Sequence, residues 1–266
     1  MSAKDEYAGI YNQCDYWCER CAFTRRCGNY RLGEQLKRRE RRTPRTDTEN
    51  RTEEESLDDV LAQARERLDA VSAERFDDLL SGDGVEPEGV PFEAFQAEED
   101  ALEKDVQAHF IVKAATTYMR AVAPWLKALV PEVKDLAERC VGQARFAPET
   151  GDPREELDDV EDGLDIVTWY HTLLPAKAHR MVSGLLELPH QAAWNDGSDV
   201  YGTAKLLLVS IDRSQGAWTQ LLAHFPQQEA AIMGFMIRLD HLRRAIERDV
   251  PQARAFIRPG LDEGPG

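Results

Sequence analysis

Apolar residues recur at alternating steps of four and three over most of the second half of the chain, and this periodicity constrains the fold more than any other feature. Val160, Leu164, Val167, His171, Leu174, Ala178, Met181 and Leu185 trace one helical face. Val200, Ala204, Leu207, Ile211, Ser214, Trp218 and Leu221 trace a second, and Ile232, Phe235, Leu239, Leu242 and Ile246 a third. Helices with one such stripe bury it against one another, so the expected class is all-α. The expected architecture is a bundle of about five or six helices, preceded by a small cysteine-rich module. No stretch reads as a strand. The helices are expected near 93–122, 125–145, 155–187, 199–224 and 227–248. Pro124, Pro148, Pro153, Pro189 and Pro226 separate them, together with Gly151 and the Asn195-Asp196-Gly197 turn.

The N-terminal part is organised differently. Four of the five cysteines, Cys14, Cys18, Cys21 and Cys27, fall within fourteen residues at the spacing C-x3-C-x2-C-x5-C. Four thiolates this close can fill the coordination shell of one metal centre. On helical turns Cys14, Cys18 and Cys21 share a face, and Gly28 permits the turn that brings in Cys27. Arg20, Arg25 and Arg26 are expected to lower the thiol pKa values and offset the anionic charge of the site. The dense aromatics Tyr7, Tyr11, Tyr16, Trp17, Phe23 and Tyr30 are expected to shield the centre or dock it on the bundle.

The expected organisation is therefore a four-cysteine metal-binding module at 1–32, a basic helix and flexible linker at 33–55, and an all-α bundle at 56–266. Thr43-Pro44 ends the short helix. Residues 45–55 are almost all Thr, Asn, Arg and Glu, a composition that buries no apolar surface. Ser56 reads as the N-cap of a helix running to about Leu80, and a Gly- and Pro-rich loop follows to Pro91.

Charge narrows the partners. The formal net charge is −16, yet residues 1–51 hold 12 Lys and Arg against 8 Asp and Glu, while the remainder holds 21 against 41. An acidic body repels a phosphate backbone, which argues against nucleic acid except through the basic segment 37–45. A protein partner is the expected alternative. No run of apolar residues is long enough to span a membrane, and residues 1–13 lack a secretory h-region, so no membrane is expected. Clustered cysteines without an export signal point to a cytoplasmic, reducing setting.

Compact cysteine runs suit a [4Fe–4S] cluster, whereas structural zinc sites more often pair two C-x2-C knuckles across a longer loop. Both cofactors stay open, as do metal-free redox thiols. The segment Cys18-Glu-Arg-Cys21-Ala-Phe23-Thr-Arg-Arg-Cys27 resembles the C-x2-C-x-F-x3-C iron–sulfur staple of RecB-like nucleases. That resemblance implies a [4Fe–4S] cluster, with Cys14 here as a local fourth ligand. Residues 11–24 also resemble the opening of an uncharacterised bacterial protein family with the same cysteine motif, a likeness that implies no activity. C-x3-C-x2-C matches the radical S-adenosylmethionine signature as well. The helical body lacks the β/α barrel of that family, and a fourth cysteine fills the iron position it keeps open.

A second site is sought in the bundle. His171 is the one strongly polar residue on its seam, and Pro175 frees the His171 carbonyl from its helical bond. Lys205 and Asp212 lie seven apart on one face of an apolar helix. His171, Lys205 and Asp212 are thus candidate cofactor-binding residues, with a buried hydrogen-bonded histidine and a salt-bridge network as the plainer alternatives. Lys177, Arg180, Arg213, Asp165 and Asp240 are the further charges that such a network or an anion pocket would use. Only Glu187-x-x-His190 has di-iron spacing. No P-loop, Rossmann glycine pattern, nucleophile elbow or H-E-x-x-H is present, so no catalytic residue is identified. Cys140 falls on the stripe of Leu129, Val133, Leu136 and Ala144 and reads as core.

Three functional expectations follow. The first is a protein whose four-cysteine centre, [4Fe–4S] before zinc, serves electron transfer, sensing or assembly. The second is a zinc-stabilised interaction module without catalysis. The third is a helical-bundle enzyme that uses the cluster as electron donor.

Overall fold

The computed structural model describes residues 13–42, 92–143, 153–191 and 197–262, and among them there are helices and turns but no strand. Among the described residues there are six α-helices: α1 (Gly28–Arg42), α2 (Phe92–Ala108), α3 (Phe110–Gln143), α4 (Pro153–Gln191), α5 (Ser198–His224) and α6 (Glu229–Asp249). The protein is all-α. The linker at 45–55, the helix at 56–80 and the loop at 81–91 lie outside the described residues.

The chain divides into two compact units, one formed by Met1–Arg31 with Glu98–Gly266 and the other by Leu32–Ala97. In the first unit α4 and α5 share the most extensive interface, α3 packs on α4, and α6 closes against α3 and α5. The three stripes read from sequence form this core. Val160, Val167, Leu174, Ala178 and Met181 are fully buried, as are Ala204, Leu207, Ile211, Trp218 and Leu221 and, from α6, Ile232, Leu239, Leu242 and Ile246. Apolar area removed from water, at about 25 cal/mol per Å², is what holds such helices together. Aromatic rings fill the centre. Trp218 lies 5.0 Å from Trp125 and 4.8 Å from Phe235. Its Nε1–H donates to the Tyr118 hydroxyl at 2.9 Å. Cys140 is buried in the core, which pushes its thiol pKa up.

Three boundaries differ from expectation, the first being the end of α4, which runs through Pro189 to Gln191. Helix α3 runs straight through Pro124 and Pro131. An internal proline costs about 3 kcal/mol, and here Val122 and Leu129 anchor both sides of Pro124 in the core. The break falls instead at His109, whose Nδ1 accepts the Ile111 N–H at 3.3 Å and so satisfies one of the open donors of α3. The short charged helix starts at Gly28 rather than residue 33. Gly197, at φ 77°, takes the left-handed turn that opens α5.

Candidate metal centre

The four cysteines do not share a helical face. Cys14 lies in a bend, Cys18 opens a 3₁₀ turn (Cys18–Arg20), and Cys21 and Cys27 are extended residues that each close a 3₁₀ turn. Cys27 is brought in by the turn Thr24–Arg26, through its N–H to the Thr24 carbonyl at 3.3 Å, and Gly28 is already helical. Between the first two cysteines Tyr16 holds a left-handed backbone at φ 58°, which costs a non-glycine residue about 1–2 kcal/mol. The Lys177 ammonium, 4.6 Å from the Tyr16 ring centroid, and the Cys18 N–H on the Tyr16 carbonyl at 2.9 Å hold it there.

These turns bring all four cysteines to one recess of about 20 Å³, walled by Tyr16, Trp17, Phe23 and Tyr30. Backbone N–H groups already point at three of the sulfurs. Phe23 N–H donates to Cys21 Sγ and Tyr30 N–H to Cys27 Sγ, each at 3.4 Å, and Tyr16 N–H donates to Cys14. Such bonds stabilise thiolate over thiol and tune metal–thiolate centres. Burial works the other way on Cys14 and pushes its thiol up to about 11. It raises the Cys18 thiol too, and the neighbouring Cys21 and Cys27 add to the rise. The cation beside Cys14 is Lys177. Arg20 does not take the expected role, because Asp162 and Asp165 of α4 hold its guanidinium over the Trp17 ring. Among the described residues, no three His, Cys, Asp or Glu side chains are grouped closely enough to hold a metal ion as they stand.

Asp15 and Trp17 dock this module on the bundle. The Asp15 carbonyl accepts the Trp169 Nε1–H at 3.0 Å, and Asp15 Oδ2 accepts the Tyr170 hydroxyl at 2.8 Å and Arg213 Nη1 at 3.0 Å. Gln13 donates to the Ser198 carbonyl at 3.3 Å, and its amide lies against Gly202, where a Cβ would collide with it. Sequence reasoning gave Asp15 and Trp169 no role. The signal was a second stripe on α4, Ile166, Tyr170 and Lys177, beside the one that forms the core.

The candidate cofactor-binding residues of the bundle, His171, Lys205 and Asp212, each have a protein partner of their own. Asp212 is half exposed and pairs with Arg254 of the C-terminal segment. Lys205 donates to Asp262 at 3.0 Å and to the Phe256 carbonyl at 2.5 Å, so it ties down the same segment. His171 is buried, but its Nδ1–H donates to its own helix, to the Thr168 carbonyl at 2.7 Å. The plainer reading therefore holds for all three. The His171 ring reaches back one turn to a carbonyl of its own helix, and the charged terminal segment supplies counter-ions to Lys205 and Asp212; neither needs a pocket.

No protein-family model matches the chain, and neither does any curated protein or solved structure. No described helix is long and apolar enough to cross a membrane.

Proposed function

We propose that Cys14, Cys18, Cys21 and Cys27 hold one metal centre, a [4Fe–4S] cluster, in a protein of electron transfer, sensing or assembly. The observation that carries this reading is the convergence of all four cysteines on one recess, with backbone N–H groups on three sulfurs. The donor set fits in chemistry: four thiols, an aromatic wall that limits water, and one buried ammonium to offset anionic charge. The cluster would supply a one-electron couple. The chain supplies the ligands, the hydrogen bonds and a rigid seat on α4 and α5. Loading releases thiol protons, Cys14's among them, and rearranges the cysteine side chains around the centre. All four cysteines are half-buried, which leaves the centre within reach of a protein partner. The setting proposed is the cytoplasm, whose reducing poise keeps such thiols available.

Zinc is the second reading, since the same four thiolates can close round one ion. In that case the module is a structural staple for protein interaction. The enzyme reading built on His171, Lys205 and Asp212 is not taken further, since each already has a protein partner.

Metal analysis of freshly, anaerobically purified protein tests both. Brown protein with equal iron and labile sulfide supports the cluster; colourless protein with one zinc supports the alternative. Single Cys→Ser changes at 14, 18, 21 and 27 should each lower occupancy, while Cys140→Ser should not. Protein with neither metal nor sulfide, after reconstitution with both, would falsify the four-thiolate centre.

A further inference from the structure

A cavity of about 430 Å³ opens beside the cysteine recess, between the module and helices α4 and α5. That volume lies within the range of small-molecule sites, about 300–1,000 Å³. Ile166 of α4 and Leu206 and Val209 of α5 give it an apolar floor, and Phe23 faces it from the module. Its charged lining is cationic: three arginines stand against the single carboxylate of Asp15. Two of those guanidiniums are each held by carboxylates and use at least two of their nitrogens. Arg20 is held by Asp162 and Asp165, and Arg258 spends its three nitrogens on Asp262 and the Gln13 carbonyl.

Arg213 is different. Only its Nη1 is used, on Asp15 Oδ2 and the Tyr170 hydroxyl, so Nε and Nη2 have no partner among the described residues. Those two bonds fix the guanidinium before any ligand arrives, which lowers the ordering cost of binding. The Asp15 carboxylate is already bonded to Tyr170 and Arg213, so it offers little to a cation.

We infer that this cavity is a binding site for a small organic anion, whose carboxylate, sulfonate or phosphate head pairs with Arg213. The hydrocarbon body of the ligand lies against Ile166, Leu206 and Val209. Shape and charge together set the class: a small inorganic anion leaves the apolar floor wet, and a neutral ligand leaves the open guanidinium donors unused. The same cavity is lined by Cys14 and Cys21, so an occupant sits directly against the proposed centre, and Arg213 links it to Asp15 between Cys14 and Tyr16. The site rests on the docking of the module rather than on the identity of the metal.

The test uses the full chain, with metal content measured on every sample. Anilinonaphthalene sulfonate is the probe, and phenylnaphthylamine is its uncharged counterpart. The expected result is saturable binding of one sulfonate per chain, weakened about tenfold or more in Arg213→Gln while the amine binds unchanged. Val209→Trp, which fills the cavity from α5 and removes no polar contact, should abolish binding of both. Should Arg213→Gln release the module, Val209→Trp decides alone. Absent saturable binding, or binding that Val209→Trp leaves intact, overturns the inference. Metal-loaded protein that ignores the probe overturns only this site, whereas metal-free protein that binds it overturns only the four-thiolate reading.

Discussion

The indole of Trp17, one residue before Cys18, stacks on that of Trp169 of α4, with ring centroids 5.2 Å apart and planes within 14°. The same Trp169 donates its Nε1–H to the carbonyl of Asp15. One bundle residue thus holds both sides of the Cys14–Cys18 turn. A stacked pair is worth about 0.5–1.5 kcal/mol beyond the area it buries. Trp169→Ala should release the module while the bundle stays helical. Limited proteolysis should then cut near the cysteines, metal should pass to a chelator several-fold faster, and far-ultraviolet circular dichroism should barely change.

Lys177 is buried, and burial lowers its pKa, yet its ammonium stands near Cys14 and over the Tyr16 ring. It is the cation that favours the Cys14 thiolate. Lys177→Met keeps most of the unbranched side chain and removes the charge. Groups that support ligands from outside the coordination shell typically alter metal affinity about 10–100-fold. Competition against a chelator should show weaker binding in that range, with partial recovery in Lys177→Arg. Unchanged affinity would show that the charge plays no part at the centre.

The core was legible because it is periodic. Every residue of the α5 and α6 stripes is buried, since a helix repeats its inward face and sequence spacing records it. The site was only half legible. Cysteine spacing announced the ligands, but the turns that gather them depend on a left-handed Tyr16 and on backbone bonds to sulfur, neither of which has a composition signal. Docking depends on Asp15 meeting residues 154 to 198 positions away, a distance no local pattern spans. The proline rule misplaced a boundary for the opposite reason. It is a local cost, and packing around Val122 and Leu129 outweighs it. His171, Lys205 and Asp212 drew notice as polar residues in apolar helices, and His171 found a partner in its own helix while the other two found theirs in the C-terminal segment.

In the core, Tyr118 and Trp218 are both fully buried, and the tyrosine hydroxyl is the acceptor for the indole N–H. Tyr118→Phe keeps the ring but removes the acceptor of that N–H, together with the hydroxyl's bond to Ser214. A buried donor without an acceptor costs about 1–3 kcal/mol. Urea unfolding should show a lower midpoint at an unchanged slope, by that amount. Because the pair lies in the core and not at the module, metal content should stay at the wild-type level.

The C-terminal segment carries an acid-sensitive latch. Burial alone would raise the Asp262 pKa, but hydrogen bonds from Arg258 and Lys205 outweigh it and hold the carboxyl well below its ordinary value of 3.8. A depressed carboxylate stabilises the fold fully above its unfolded-state pKa, and that contribution is lost as pH falls through the lower, folded-state value. The latch should therefore stay closed from neutral pH down past 3.8 and open only in stronger acid. In Asp262→Asn the carboxylate is absent at every pH. The stability difference between wild type and variant should be largest at neutral pH and should vanish at the acid end. Hydrogen exchange in the segment that Lys205 grips at Phe256 should report it, with the variant exchanging faster at neutral pH. A difference that grew toward low pH would have the wrong sign for a depressed carboxylate and would refute the latch.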